Sequence, residues 1–190
     1  GERLADGTFS KGARNPWLLP LVKLAIETAM LRGELLSLTW ENVDLKRQTA
    51  HLPDTKNGDP RTVPLSTRAV AILQALPLPE VDEEDRDIEE PQRSGPVFPT
   101  TALALRKGFA RAIERAQEQY RADCKQAKRR PAAGFLEDVH FHDTRHEAAS
   151  RLAEKLTNVL ELSAVTGHKD LRMLKRYYHP RAEDLAKKLG

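Results

Sequence analysis

The chain has a single cysteine, Cys124, in 190 residues, so it has no internal disulfide and suits a reducing compartment. Arg121, Lys125 and Lys128 surround that thiol, but no partner for thiol chemistry lies beside it, and it reads as incidental. Aromatic residues are scarce at 5%, and no apolar run approaches the roughly 18 residues of a membrane span. No leader-like run opens the sequence either, so a cytoplasmic protein with no membrane partner is expected. With 39% hydrophobic and 31% charged residues, the length suffices for one domain with a real core.

What is present is an uneven charge. Residues 77–95 hold eight acids (Glu80, Asp82, Glu83, Glu84, Asp85, Asp87, Glu89, Glu90) against Arg86 and Arg93, a net of −6. The whole chain is +3, so the remainder carries +9. A body that basic suits a polyanionic partner, although a merely well-solvated surface would look the same.

Patterning predicts mainly α structure with a small antiparallel sheet. Residues 1–15 read as a tail or linker stub, and residues 16–190 as one domain with an acidic insertion at 77–95. Asn15-Pro16 is a helix start, and Leu18, Leu19, Leu21, Val22, Leu24 and Ile26 make the helix it opens, to about Met30, apolar almost all round. A short helix over 34–40 follows. Strands at 49–52 and 61–65 flank the turn signal Lys56-Asn57-Gly58. Ser66 and Thr67 can cap a helix over 68–76, and a long helix from Thr101 runs into the basic stretch 121–130. The last quarter reads as helical. Thr144 with Glu147 and Asn158 with Glu161 have capping-box spacing, Asp170 can cap the segment carrying Tyr177, and a final helix spans 182–189.

Chemistry concentrates near the C-terminus. His142-Asp143-Thr144-Arg145 is followed by Gly167-His168 and then by Arg176-Tyr177-Tyr178-His179. A phenol, two imidazoles and a guanidinium are the groups that covalent attack on a phosphodiester requires: a nucleophile, and cationic donors for the pentacoordinate phosphate. His142 at the mouth of a helix, with Arg145 in its first turn, would favour an anion. Taken singly, His142 is equally a capping or packing histidine, Arg145 a surface ion-pair partner and His168 an exposed residue after a C-cap glycine. Tyr177 and Tyr178 diverge by ~100° on a helix, so one packs while the other faces the site. His140, His142 and His146 invite a metal reading, but no fourth ligand has the usual spacing and no metal is expected. Lys56, at the hairpin tip, is either a solvated turn residue or a general acid that protonates a leaving oxygen.

Together these blocks resemble the catalytic domain of the tyrosine recombinases of the phage integrase family. The similarity rests on Glu34 to Leu45, Asp54-Thr55-Lys56-Asn57-Gly58, Arg61-Thr62-Val63-Pro64-Leu65, His142-Asp143-Thr144-Arg145-His146, Thr166-Gly167-His168, Arg176-Tyr177 and His179, in that order. The resemblance implies that Tyr177 attacks the scissile phosphate and forms a 3′-phosphotyrosyl link. It implies that Arg145 clamps the non-bridging oxygens, that His142 and His168 donate hydrogen bonds and assist proton transfer, and that Lys56 is the general acid. No metal or nucleotide cofactor is implied. Double-stranded DNA would be the partner, with a homotetramer assembled on it and a monomer for the isolated fragment. Since no N-terminal core-binding domain fits in residues 1–15, the chain resembles a catalytic fragment.

One position departs from the family. Its first arginine lies three residues before the glutamate matched by Glu34, and here Leu31 stands there, in Thr28-Ala29-Met30-Leu31. Arg32 is adjacent but would point ~100° away on a helix. Losing one cation from a phosphate clamp costs roughly 3–4 kcal/mol, by analogy with an oxyanion-hole donor. The expectation is a chain that binds DNA, through phosphate contacts from Arg121, Lys125, Lys128, Arg129 and Arg130, yet cleaves it poorly. A catalytically silent DNA-binding or regulatory protein and a type IB topoisomerase-like enzyme remain open alternatives.

Overall fold

In the computed structural model, residues 15–55, 58–77, 93–179 and 182–189 are described, with only the backbone of Asp184, Leu185 and Lys188. The expected tail, Lys56 at the hairpin tip and most of the acidic insertion therefore lie outside the described residues.

Helix α1 (Leu18–Thr28) is the centre of the core. Leu21, Leu24 and Ala25 are fully buried, and the helix packs against the later helices Thr67–Gln74 and Asp143–Lys155. It begins two residues after Pro16. Asn15 Oδ1 accepts from the Trp17 N–H (3.0 Å) and its carbonyl from the Leu18 N–H (3.2 Å). It ends before Met30 because Ala29 turns into the left-handed region at φ 55°, while Thr28 Oγ1 donates back to the Leu24 carbonyl (2.7 Å).

Helix α2 (Arg32–Ser37) starts earlier and stops sooner than the sequence pattern predicts. Leu38 is extended, and its carbonyl accepts from Val97 N–H (2.9 Å), while Trp40 N–H donates to Gly95 O (2.9 Å). Pairing with the 95–97 segment draws the chain out of the helix, and residues 40–42 form a separate 3₁₀ turn. Strand β1 (Val43–Asp44) follows, an edge strand that the sequence reading did not anticipate.

Strands β2 (Thr49–Leu52) and β3 (Arg61–Pro64) pair antiparallel in the order β1-β2-β3, with Ala50 opposite Val63 and Leu52 opposite Arg61. Ala50, Leu52 and Val63 face the core and are buried, whereas His51 and Thr62 meet outside, Nδ1 to Oγ1 at 3.2 Å. The period of two therefore places Arg61 on the inward face with Val63.

Helix α3 (Thr67–Gln74) is capped as expected by Ser66, whose Oγ accepts from Ala69 N–H (3.1 Å). Its C-terminal carbonyls are taken by Arg93, which donates to Leu73 (2.9 Å), Gln74 (2.8 Å) and Leu76 (3.0 Å) and stacks over Trp40 at 4.5 Å. Residues 93–95, read from sequence as part of a loop insertion, are thus anchored to the body.

Helix α4 (Ala102–Gln126) is long and mostly exposed, and Lys128, at φ 50°, ends it before the basic stretch is complete. The chain then folds back, with Phe135 stacked on Tyr120 (ring centroids 3.8 Å) and Gln117 donating to the Leu136 carbonyl (3.0 Å). Helices α5 (Asp143–Lys155), α6 (Val159–Thr166) and α7 (Ala182–Leu189) complete the fold. Thr144 is not a cap here: its hydroxyl donates to the Phe141 carbonyl (2.7 Å), and α5 opens after His142. Asn158 caps α6 as expected, accepting from Leu160 N–H (2.8 Å).

Ala29 holds a left-handed conformation that costs an L residue roughly 1–2 kcal/mol. Ala29→Gly is expected to raise stability by about 1 kcal/mol in urea unfolding, the relief of strain being partly offset by a looser unfolded chain.

Candidate active site

The site is assembled from the ends of helices. Arg145, in the first turn of α5, is only 8% exposed, and its guanidinium donates to two backbone oxygens. Nη1 reaches Ala29 O (2.5 Å) past the end of α1, and Nη2 reaches Thr166 O (2.6 Å) at the end of α6. Both acceptors are terminal carbonyls that their own helices leave short of partners, at the negative ends of the helix dipoles. Burial pulls the Arg145 value down from that of an ordinary guanidinium, opposed by the carboxylate of Glu34.

Gly167 closes α6 in the left-handed region at φ 70°, presenting His168 just beyond. Thr166 Oγ1 spends its proton on Leu162 O (2.7 Å), so at 2.7 Å it accepts from His168 Nδ1–H. That assigns the tautomer: the lone pair lies on Nε2. The 3.5 Å approach of Arg145 Nη2 to Nδ1 is then donor against donor, and no bond. Burial, and after it the neighbouring Arg145, lower the His168 value to about 4, so the ring is neutral at neutral pH.

Arg61 and Glu34 form a pair beneath this turn. The β3 guanidinium donates Nη1 to Oε1 (2.5 Å) and Nη2 to Oε2 (2.8 Å), and Oε2 also accepts from Leu31 N–H (2.7 Å). The Glu34 side chain is 4% exposed and that of Arg61 is 14% exposed. A Cβ on Gly167 would sit 2.9 Å from Arg61 Cζ, so only glycine admits this packing as well as the backbone turn. Arg61 Nε is the buried side-chain nitrogen left without a partner among the described residues.

Tyr177 stands in a turn after the 3₁₀ segment Leu171–Leu174, which Asp170 caps by accepting from Arg172 N–H (2.9 Å). It is therefore not on a helix, as its neighbours had implied. The two tyrosines nevertheless separate. The Tyr178 hydroxyl donates to Thr157 O, while the Tyr177 hydroxyl meets His146 Nδ1, and Arg176 Cζ sits 5.8 Å from the Tyr177 ring. The His142 and His146 rings, four residues apart on α5, touch edge to face at 5.2 Å.

Of the residues singled out in the sequence, Arg145, His168 and Tyr177 come together, with His142 joined to them through His146. Leu31, the residue before α2, lines with Arg32, Glu34, His142 and Arg145 a cavity of about 700 Å³, bordered at the hairpin by Asp54 and Thr55. Lys56 lies outside the described residues. The run Arg121, Lys125, Lys128, Arg129 and Arg130 is exposed at the far end of α4, roughly 22 Å along the helix from Arg106 at the cavity. It stands apart from the cluster. Among the described residues no group of three His, Cys, Asp or Glu side chains is placed to hold a metal, and no helix is long and apolar enough to cross a membrane.

Sequence reasoning missed the places of His146, Arg61 and Glu34. The spacing of His146 from His142 was a usable signal, since i and i+4 share a helix face. Nothing local signalled that Arg61 would reach α2.

Comparison with known proteins places this geometry. Residues 7–184 match the phage integrase family. The chain is 42% identical over 177 residues to a shufflon-specific DNA recombinase of Escherichia coli, covering 93% of this chain and 38% of that protein. It spans less than half the length of such curated relatives. Among solved structures it resembles the Tn1549 transposon integrase in complex with circular intermediate DNA (TM-score 0.60, 16% identity, 98% of this chain and 68% of the other). It also resembles the catalytic domain of bacteriophage HP1 integrase (TM-score 0.55, 23% identity, 94% and 85%).

Two measurements follow from the geometry. Glu34→Gln leaves Arg61 buried without its counter-charge and is expected to cost about 3–5 kcal/mol in urea unfolding, with a paired apolar replacement of both residues costing much less. His168 makes stability pH-dependent: above the ~6.5 of an unfolded imidazole its contribution is intact. As pH falls, the unfolded chain takes a proton that the folded chain refuses, and the contribution is fully lost below about 4. His168→Asn should flatten that part of the stability profile.

Proposed function

Because the chain belongs to the phage integrase family, we propose that it is the catalytic part of a site-specific recombinase, cutting and rejoining duplex DNA through a phosphotyrosine. The observation that carries this reading is the Tyr177 phenol, hydrogen-bonded to His146 within the cluster that holds Arg145 and His168. The phenol attacks the phosphorus, the 5′ oxygen leaves, and the protein keeps a 3′-phosphotyrosyl bond. That bond conserves the energy of the phosphodiester, so a 5′ hydroxyl rejoins by the reverse step without a nucleotide cofactor.

Arg145 is the phosphate clamp in this reading. Its two backbone bonds hold the planar guanidinium still, and a fork fixed in advance loses little freedom on meeting two phosphate oxygens. His168 presents Nε2 to an arriving phosphate and must take up a proton to donate there, a change that the anion itself favours. Lys56 remains the proposed general acid. Exposed Arg106, Lys107 and Arg111 on α4, nearer the cavity than the 121–130 run, add phosphate contacts. The site acts in the cytoplasm, on DNA, in a homotetramer whose further domains come from the rest of a longer recombinase.

A second reading, a DNA-binding protein without cleavage, draws on Leu31. The cation missing there is not replaced by Arg61, whose charge is neutralised by the Glu34 carboxylate. Arg32 is exposed at the cavity rim.

The test restores the charge. Because Glu34 is already satisfied by Arg61 and the Leu31 N–H, an arginine at 31 keeps its donors for phosphate. Leu31→Arg is expected to raise covalent adduct formation about 10²–10³-fold on nicked suicide duplexes drawn from a randomised pool, read on denaturing gels. The adduct should vanish with Tyr177→Phe. No adduct with arginine restored would favour the silent binding module.

A further inference from the structure

Phenols are weak nucleophiles until something takes their proton, and the resemblance names only His142 and His168 as helpers in proton transfer, neither as the group in contact with the phenol. His142 touches His146 by ring edge, and His168 is turned to Thr166 through Nδ1. The Tyr177 hydroxyl instead meets His146 Nδ1, the rings tilted by 34° with centroids 6.1 Å apart.

We propose that His146 is the general base of strand cleavage, taking the Tyr177 proton onto Nδ1 as the phenolic oxygen attacks. The proposal rests on the reading of Tyr177 as nucleophile and adds a catalytic residue to it. The step balances: the Tyr O–P bond forms, P–O5′ breaks, the phenolic proton passes to His146, and O5′ takes a proton from a separate acid, the Lys56 ammonium. On rejoining, the O5′ hydroxyl attacks and gives its proton back to the neutral Lys56 amine, P–O(Tyr) breaks, and the His146 imidazolium returns its proton to the phenolate.

Three features of the geometry suit this role. Donor and base are already in hydrogen-bond contact, the arrangement a nucleophile–base couple requires. Arg176 lies over the Tyr177 ring and the charge of Arg145 is coupled to the phenol, so a developing phenolate finds positive charge on two sides. His146 is only half-buried and sits on a regular turn of α5, one residue beyond the phosphate clamp, so its ring and the Arg145 guanidinium are held by one rigid element.

His146→Asn is the discriminating variant. Asparagine offers a hydrogen-bond acceptor near the place of Nδ1 but cannot carry the proton. In the Leu31→Arg chain, with a nicked suicide duplex selected from a randomised pool for adduct formation, His146→Asn is expected to slow adduct formation about 10²–10⁴-fold while duplex binding is unchanged. The defect should persist when the scissile 5′ oxygen is replaced by sulfur, a leaving group that needs no acid, whereas a Lys56→Ala defect should be rescued. Equal rates for parent and variant, or rescue of His146→Asn by the sulfur substrate, would overturn the assignment while leaving Tyr177 as nucleophile. Absence of any adduct that Tyr177→Phe abolishes would overturn both.

Discussion

The buried guanidinium of Arg145 is the constraint on which the site depends. Its bonds to Ala29 and Thr166 tie the C-terminal ends of α1 and α6 to the first turn of α5. Hydrogen bonds from a charged donor are worth roughly 1.5–3 kcal/mol each, and both acceptors would otherwise be buried terminal carbonyls. One side chain thus satisfies two helix ends and aligns the three elements that carry or flank the candidate chemistry. The left-handed turns at Ala29 and Gly167 are the backbone counterpart, since each aims a carbonyl at the same cation.

Charge around that cation is partitioned rather than summed. Arg61 and Glu34 neutralise each other in a buried pair, with Gly167 pressed against the guanidinium. His168 is kept neutral by burial and by the positive charge of Arg145. Arg32, Arg106 and Arg145 remain along the cavity lining, beside Leu31. The side chain at 31 is separate from the capping of α2, because the Leu31 backbone N–H donates to Glu34 whatever that side chain is.

Much of the fold was legible in the sequence. The apolar α1, the hairpin register, the Ser66, Thr101 and Asn158 caps and the long α4 all follow from local chemistry and periodicity. The misses have particular causes. The early end of α2 arises because residues 38–40 bond to residues 95–97, a partner supplied from more than 50 positions away, and the unforeseen β1 because Val43 and Asp44 pair with β2. Thr144 fails as a cap for a local reason, its hydroxyl being drawn to the preceding turn instead.

By itself the sequence determined the inventory of the site: a phenol at 177, a guanidinium at 145, imidazoles at 142, 146 and 168, and a leucine where the family has arginine. It did so because nucleophilicity and charge belong to residue types, and their order along the chain is enough to recognise them. Only the tertiary structure decided how they are paired. It set His146 against Tyr177 across 31 positions and gave Glu34 to Arg61 across 27. Contacts of that span join separate elements, and no local propensity encodes them; they exist because α1, α5, α6 and the sheet bury their apolar faces together, and burial fixes which polar ends meet.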